Sequence, residues 1–265
     1  MYSMDALRQS GHVVMTKDKV RVSFYLYHGK ERRERVLIIC PGFFQSKETA
    51  LFQKLSRDLA QDQDVLCMDF RGHGQSGGLF TFSAKEGADL EAVLKWAGER
   101  YARLTVLGFS LGAATAVTTV SRLRDGIQGV VAVSCPAAFE EIEFKVWNPE
   151  AAMLTFQTWD PRLGCRPGPA WLKKERPLDA IRSLSPIPVL LIHGDKDSVV
   201  HHRHSQRLYE RAQDPRRLEI IPSGNHAEEL YRQDSVGFVS LIQTWFNSVE
   251  LFKKEALPHE RRNST

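Results

Sequence analysis

The stretch Gly108-Phe109-Ser110-Leu111-Gly112 decides the fold that we predict for this chain. It follows the apolar run 104–107 and precedes a run of small residues, 113–117, which favours a helix. A serine on a sharp strand-to-helix turn needs small neighbours, because the backbone there is strained and a flanking side chain would collide with the strand or the helix. The pentapeptide could arise by chance, but its flanks indicate a nucleophile elbow.

The composition is that of an ordinary globular chain. Of 265 residues, 42% are hydrophobic and 26% are charged, and the formal net charge is +4. Because the basic residues are spread along the chain, this excess does not predict a nucleic-acid partner. The first residues lack the apolar core of a signal peptide. The sequence contains no run of about 18 apolar residues, so we expect no membrane span. The four cysteines show no metal-binding spacing, so we expect a reduced, cytoplasmic setting with no metal and no cofactor.

Strand and helix patterns alternate along most of the chain. Two β-rich runs, 12–15 and 20–27, are joined by a polar turn and predict a hairpin. Six further strands are predicted at 36–40, 65–70, 104–109, 127–134, 188–193 and 217–221, and helices at 47–61, 83–101, 111–123 and 228–246. We therefore predict a single α/β domain over residues 1–265, with a mostly parallel eight-stranded sheet and helices on both faces. The hairpin would be an antiparallel addition at one edge.

One long connection interrupts this alternation, with about fifty residues between the strands that end near 134 and start at 188. A connection of this length is usually functional, and we interpret it as an inserted lid over about 136–186. Its aromatic residues include Phe139, Trp147 and Trp159, which we take with Phe44 as candidate substrate contacts. For most aromatic residues of the insert, packing in its own small core is the favoured role.

The chemistry of a serine nucleophile requires two partners. A histidine must take the proton of the hydroxyl, and a carboxylate must orient that histidine. Downstream of an elbow of this kind the acid follows a strand, and here the strand at 189–192 leads to both Asp195 and Asp197. We favour Asp197, because Val199 and Val200 would dock its loop on the sheet. Asp195 stays the alternative, and otherwise suits a turn or a helix cap.

His226 is the candidate base. Of nine histidines, it alone lies in the loop after the last predicted strand. The cluster of His201, His202 and His204 lacks the spacing of a metal site, and we expect it to be the solvated start of a helix. His193 ends a buried strand and is expected to be packed and hydrogen-bonded.

Two backbone N–H groups should bind the oxyanion. One belongs to Leu111, which follows the candidate nucleophile at the positive end of a helix. The other should come from the loop after the strand that ends at residue 40, where Phe43 is the natural donor. The glycine-rich run 69–78 is expected to form a structural loop beside the elbow, with His73 packed there rather than titrating.

Together these motifs resemble those of the α/β-hydrolase superfamily. Within it the chain is similar to the group of serine aminopeptidases, monoacylglycerol-lipase-like enzymes and small bacterial esterases. The motifs that carry the resemblance are Gly108-Phe109-Ser110-Leu111-Gly112, Asp69-Phe70-Arg71-Gly72-His73-Gly74-Gln75-Ser76, His193-Gly194-Asp195-Lys196-Asp197 and Gly224-Asn225-His226. The resemblance implies an α/β-hydrolase fold, with Ser110 as nucleophile, Asp197 as acid and His226 as base.

The chain departs from the pattern of that superfamily at two positions. The oxyanion loop begins Pro41-Gly42 rather than His-Gly, so its support must differ. Ala113 stands where a further glycine is frequent, which is a mild change.

We predict a serine hydrolase that cleaves a small-molecule carboxylic ester through an acyl-enzyme. An acyl thioesterase, an aminopeptidase and an acyltransferase are the alternatives on the same triad. An aminopeptidase would need acids to hold an amine, and the insert offers Glu140, Glu141, Glu143 and Glu150, for which a solvated helix face is the favoured role. A non-catalytic binding protein is disfavoured, because such relatives typically lose a triad residue.

Overall fold

The structure, a computed structural model, describes residues 7–29, 33–61, 63–142 and 164–255, with side chains through residue 249. The strands are β1 (Arg8–Met15), β2 (Arg21–His28), β3 (Arg35–Cys40), β4 (Asp64–Met68), β5 (Arg103–Phe109), β6 (Ile127–Val133), β7 (Val189–Gly194) and β8 (Arg216–Ile221). The α-helices are α1 (Ala50–Leu59), α2 (Gly87–Gly98), α3 (Leu111–Val120), α4 (Pro177–Ala180), α5 (Arg203–Arg211), α6 (Glu229–Gln233) and α7 (Ser235–Glu255).

All eight strands form one sheet in the order β1-β2-β4-β3-β5-β6-β7-β8. The β1–β2 and β2–β4 pairs are antiparallel, and the remaining pairs are parallel. The predicted mostly parallel sheet with an antiparallel hairpin at one edge is therefore confirmed. Because β3 to β8 run in the same direction, the loops that follow them gather at one edge of the sheet, where ligands bind in open α/β folds.

A separate hydrophobic core covers each face of the sheet. Successive residues of β3 point to opposite faces, so Ile38 belongs to one core, and Leu37 and Ile39 belong to the other. Helices α2, α3 and α5 cover the first face, and α1, α6 and α7 cover the second. Burial on both faces explains why the central strands read as continuous apolar runs in the sequence.

Two helices begin later than predicted because side-chain and backbone constraints precede them. Before α1, the Ser46 hydroxyl and the Lys47 backbone N–H both donate to Asp69 Oδ1 at 2.8 Å, which holds this segment in a turn. Before α2, Phe82 and Ser83 have φ values of 56° and 70°. Such left-handed residues cannot continue a right-handed helix.

The predicted C-terminal helix is divided into α6 and α7. The break lies at Asp234, whose φ of −145° and ψ of 86° are not helical. The carboxylate of Asp234 accepts a hydrogen bond of 2.8 Å from the Gly237 backbone N–H in the first turn of α7. An N-terminal cap of this kind stabilises the second helix and fixes the break.

Only the two ends of the predicted insert belong to the described residues. They contain a 3₁₀ turn (Phe139–Glu141), α4 and a second 3₁₀ turn (Ile181–Leu184). The returning end pairs with the glycine-rich loop, because the Arg166 N–H donates to the Gly72 carbonyl at 2.7 Å and the Phe80 N–H donates to the Arg166 carbonyl at 2.9 Å. Residues 143–163 lie outside the described residues, so the lid stays a prediction.

In the described part of the chain, every helix is too short or too polar to cross a bilayer.

Candidate active site

The candidate nucleophile lies on a strained turn. Ser110 connects β5 to α3 with φ of 50° and ψ of −116°, a conformation that costs a non-glycine residue about 1–3 kcal/mol. The Ser110 N–H donates to the Val133 carbonyl at 2.8 Å, and the Ser110 carbonyl accepts from the Ala114 N–H at 3.1 Å. The backbone of the strained residue is thus fixed on both sides, as a nucleophile elbow requires.

The two glycines of the elbow are required by close backbone contacts. A Cβ atom added to Gly108 would lie 2.5 Å from the Ala113 Cα, at the start of α3. A Cβ atom added to Gly112 would lie 2.2 Å from the carbonyl oxygen of Cys40 and 2.4 Å from that of Pro41. The first glycine therefore lets the helix fold back over its own strand, and the second lets the helix pack against the backbone that leaves β3.

The three predicted side chains meet at the C-terminal edge of the sheet. His226 Nε2 lies 3.0 Å from Ser110 Oγ, and His226 Nδ1 lies 2.7 Å from Asp197 Oδ2. Ser110 follows β5, Asp197 follows β7 and His226 follows β8. Within the described residues, the carboxylate that is hydrogen-bonded to His226 belongs to Asp197 and not to the alternative, Asp195. This arrangement can transfer a proton from the serine hydroxyl to a histidine backed by a carboxylate.

The Asp197 carboxylate is buried but has donors for both oxygens. Oδ1 accepts from the backbone N–H groups of Val199 at 2.9 Å and Val200 at 2.8 Å. Oδ2 lies 2.7 Å from His226 Nδ1 and 3.1 Å from His193 Nε2. Burial opposes ionisation of Asp197, but the charge of His226 and the hydrogen bonds from both histidines hold its pKa well below the usual range.

His226 is poised to accept a proton. Burial disfavours its charged form, but the adjacent Asp197 carboxylate outweighs burial and raises the pKa of His226 above the usual 6.5. Glu228 and Glu229, the next acidic groups along the chain, act in the same direction. The side chain of His226 is 16% exposed, so the imidazole is not fully sealed from solvent.

His193, at the end of β7, contacts the Asp197 carboxylate as well as the protein core. Its Nε2 lies 2.7 Å from the Val200 carbonyl oxygen, and its Nδ1 lies 2.6 Å from Ser205 Oγ. Because a carbonyl only accepts, Nε2 must carry a proton, and the serine hydroxyl can pair with Nδ1. The N–H at Nε2 therefore points to both the Val200 carbonyl and Asp197. The sequence predicted a hydrogen-bonded histidine here but gave no signal for this contact with the acid.

The predicted oxyanion loop runs directly beside the elbow. A Cβ atom added to Gly42 would lie 3.3 Å from the Phe109 carbonyl oxygen and 3.4 Å from Ser110 Cβ. The loop then turns sharply, with a hydrogen bond of 3.3 Å from the Gln45 N–H to the Gly42 carbonyl. Phe43 thus follows a glycine that lies beside the candidate nucleophile, and Leu111 directly follows that nucleophile in the chain. Their role as oxyanion donors stays a prediction.

Four phenylalanine rings cluster around this loop. The Phe43 ring centroid lies 3.8 Å from that of Phe44, 5.0 Å from that of Phe80 and 5.6 Å from that of Phe82. Phe80 is buried, and the other three are half-buried. Sequence analysis identified Phe43 and Phe44 but missed Phe80 and Phe82. The signal for these two was the alternation of aromatic residues just after the glycine-rich run.

The remaining predicted residues lie elsewhere. Phe139 is half-buried and packs against the core on the sheet face that α2, α3 and α5 cover. Trp147 and Trp159 lie outside the described residues. The expectation that the histidine cluster is solvated is wrong for His204, which is 3% exposed. Its Nδ1 accepts a hydrogen bond of 3.1 Å from the Ala137 N–H, because this face of α5 packs beneath the segment that follows β6.

Comparison with known proteins agrees with the observed fold. A family model described as the alpha/beta hydrolase fold matches residues 35–160. YfhR of Escherichia coli K12, an uncharacterized protein, is 30% identical over 190 residues, which cover 66% of this chain and 60% of YfhR. The serine hydrolase BPHL of Homo sapiens is 23% identical over 243 residues, which cover 80% of each chain. The esterase Pf2001 of Pyrococcus furiosus shares the fold, with a TM-score of 0.71 and 21% identity over 94% of this chain and 96% of the esterase.

The match spans only about 60% of the length of the first curated relatives.

The close contact at Gly112 predicts a large loss of stability for Gly112→Ala. The added methyl group would meet two backbone carbonyls that cannot rotate away, so we expect the free energy of unfolding to fall by about 1–3 kcal/mol. Gly98→Ala is the matched control, because its Cβ would find its nearest neighbour at 4.0 Å. In the α2 helix this change should be neutral or stabilise by about 0.5–1 kcal/mol. Urea unfolding of both variants measures the difference, and equal stabilities would contradict the packing argument.

The electrostatics of His226 predict its titration. We expect ¹⁵N NMR of the labelled imidazole to show a pKa above 6.5. In Asp197→Asn the charge that raises it is gone, so the same ring should titrate at lower pH. Asp195→Asn is the control and should leave the titration unchanged. If Asp195→Asn shifted the titration of His226 and Asp197→Asn did not, Asp195 would be the acid coupled to His226, which would contradict this prediction.

Proposed function

Since the chain belongs to the α/β-hydrolase superfamily, we propose that it is a serine hydrolase that cleaves a carboxylic ester through an acyl-enzyme. The resemblance predicted from the motifs is confirmed at the level of the superfamily. The observation that carries the proposal is the hydrogen-bonded line from Ser110 through His226 to Asp197, with distances of 3.0 Å and 2.7 Å. The esterase fold neighbour supports an ester substrate, and the proposal rests on the site rather than on that likeness.

The acylation step uses every group of the site. His226 Nε2 takes the proton of Ser110 Oγ as the oxygen attacks the ester carbonyl carbon. The backbone N–H groups of Phe43 and Leu111 bind the oxyanion that forms, and such a donor typically contributes about 3–4 kcal/mol to catalysis. Asp197 stabilises the imidazolium. The intermediate then collapses, His226 gives its proton to the leaving alcohol, and the acyl group stays on Ser110.

Deacylation repeats these steps with water. His226 removes a proton from a water molecule, whose oxygen attacks the acyl carbon, and the proton returns to Ser110 Oγ when the carboxylic acid leaves. An acyltransferase would use an alcohol at this second step, so the ratio of hydrolysis to alcoholysis in mixed solvent separates the two activities. A thioesterase would differ only in the leaving group.

The aminopeptidase alternative is weakened by the described acids of the insert. The Glu140 carboxylate pairs with Arg176, and the Glu141 carboxylate pairs with Arg207. Both are surface ion pairs, so an amine would have to compete with an arginine for each carboxylate. Glu143 and Glu150 lie outside the described residues.

The aromatic cluster supports an apolar group on the ester. Phe43, in the loop beside Ser110, and the neighbouring Phe82 are both half-buried. The Ser83 hydroxyl lies 3.2 Å from Thr115 Oγ1 on α3, which fixes the segment that carries Phe82. Rings held in this way bury apolar substrate area at little cost in entropy.

A reducing compartment such as the cytoplasm suits the proposed enzyme. All four cysteines are free thiols, and Cys40, Cys67 and Cys135 are buried.

The nucleophile is tested with Ser110→Ala. We expect the hydrolysis of p-nitrophenyl butyrate to fall by about 10⁴–10⁶-fold, because the covalent step is lost. Labelling by a fluorophosphonate should disappear, and the melting temperature should stay close to that of the wild type. A folded wild-type protein that neither reacts with the fluorophosphonate nor hydrolyses esters would contradict the proposal.

The aromatic cluster is tested with Phe82→Ala. We expect kcat/KM for p-nitrophenyl octanoate to fall about tenfold relative to that for the acetate, since the longer ester loses an apolar wall. Phe246→Ala removes a half-buried ring on α7 and should leave this ratio unchanged. An unchanged ratio in Phe82→Ala would exclude this ring from the substrate site.

A further inference from the structure

One buried histidine near the site is not used by the steps above. His73 lies in the glycine-rich loop after β4 and is 3% exposed. Its Nε2 lies 3.3 Å from the backbone nitrogen of Phe44, and its Nδ1 lies 3.2 Å from the carbonyl oxygen of Arg71. Phe44 directly follows Phe43, the proposed oxyanion donor, so the imidazole holds the peptide next to the reacting groups.

The two partners of His73 determine its tautomer. The Arg71 carbonyl can only accept, so Nδ1 must carry the proton. The Phe44 N–H can only donate, so Nε2 must be bare. Both contacts therefore require a neutral ring with the proton on Nδ1.

The surroundings of His73 keep the ring neutral. Burial lowers the pKa of His73 to about 4. The hydrogen bond to the Arg71 carbonyl and the charge of Asp69 oppose this effect, and the charge of Arg166 adds to it. A protonated ring would direct a second donor at the Phe44 N–H and break the contact.

The peptide that His73 holds is strained. Phe44 has a φ of 59°, and a non-glycine residue keeps such a conformation only where its surroundings impose it. One side of the turn is closed by the hydrogen bond from the Gln45 N–H to the Gly42 carbonyl. His73 lies outside this turn and holds the Phe44 N–H, which lies between Gly42 and Gln45 in the chain.

A buried ion pair anchors the far end of the same loop. Lys47 Nζ lies 2.6 Å from Asp69 Oδ2, and both side chains are fully buried. The Gln75 N–H donates to the same oxygen at 3.0 Å, so the glycine-rich loop and the oxyanion loop share one carboxylate. The glycine-rich loop is thus the support that the Pro41-Gly42 start of the oxyanion loop requires.

We propose that His73 is a positioning residue, which acts through Phe44 to hold the Phe43 N–H where the oxyanion forms. The inference rests on the proposed function. Since the oxyanion exists only in the transition state and the intermediates, a displaced donor lowers kcat and leaves substrate binding largely unaffected.

Two substitutions separate the hydrogen bond from the packing. His73→Phe keeps a flat ring without an acceptor, and His73→Gln offers an oxygen near the position of Nε2. For p-nitrophenyl acetate we expect His73→Phe to lower kcat by about 10–100-fold, with KM within about twofold of the wild type. The affinity for a trifluoromethyl ketone should fall in proportion to kcat, and His73→Gln should restore most of both.

Two further measurements exclude a general loss of structure. The acid limb of the pH–rate profile, set by His226, should be the same in wild type and both variants. Tyr101→Phe removes a hydrogen bond of 2.9 Å to Asp64 at the opposite edge of the sheet and should keep the wild-type kcat. A folded His73→Phe with wild-type kcat, or with an altered KM alone, would overturn the inference.

The proposed function and this inference fail in different ways. Turnover that survives Ser110→Ala would overturn the proposed function. Turnover that is lost in Ser110→Ala but unchanged in His73→Phe would overturn only the positioning role of His73.

The wild-type protein provides a test that needs no folded variant. In ¹⁵N-histidine NMR, the His73 ring should be neutral with the proton on Nδ1 between about pH 5 and 8. A proton on Nε2, or a titration within that range, would also contradict the inference.

Discussion

The close approach of helix α3 to the backbone that leaves β3 is the constraint on which the site depends. Gly112 leaves no room for a side chain between the helix and the carbonyls of Cys40 and Pro41. Because the helix starts there, the chain must turn sharply at Ser110, and its backbone adopts a φ of 50°. The same approach places the loop after β3 against the elbow, so that Gly42 lies beside the serine. One packing contact thus sets both the sharp turn that carries the Ser110 hydroxyl and the backbone that lies beside it.

Two buried carboxylates then fix the loops around this turn. Asp69 accepts hydrogen bonds from Ser46, Lys47 and Gln75, which joins the glycine-rich loop to the oxyanion loop. Asp197 does the same for the loops after β7 and β8. A buried carboxylate is costly unless its oxygens are paired, and a paired one restricts every donor to a single geometry. The buried charges therefore serve precision at the site rather than stability alone.

The sequence predicted the sheet and the three central side chains because both follow from local signals. Apolar runs mark buried strands, and chain order assigns a serine, an acid and a histidine to successive loops at one edge. The positions of Phe82 and His204 could not be predicted, because they depend on left-handed backbone at residues 82–83 and on which face of the polar helix α5 packs inward. The contact of His193 with Asp197 was equally hidden, since a tautomer is set by neighbours that meet only in the folded chain.

The dense packing of α3 also limits how such a protein can diverge. Every residue from Gly112 to Val120 is buried, so none of these positions leaves space for a larger side chain. Natural variation and laboratory engineering must therefore act on the connections at the C-terminal edge, where length and side-chain size can change without disturbing the sheet. The reacting centre stays fixed through such changes, and new selectivity arises from the chain segments that surround it.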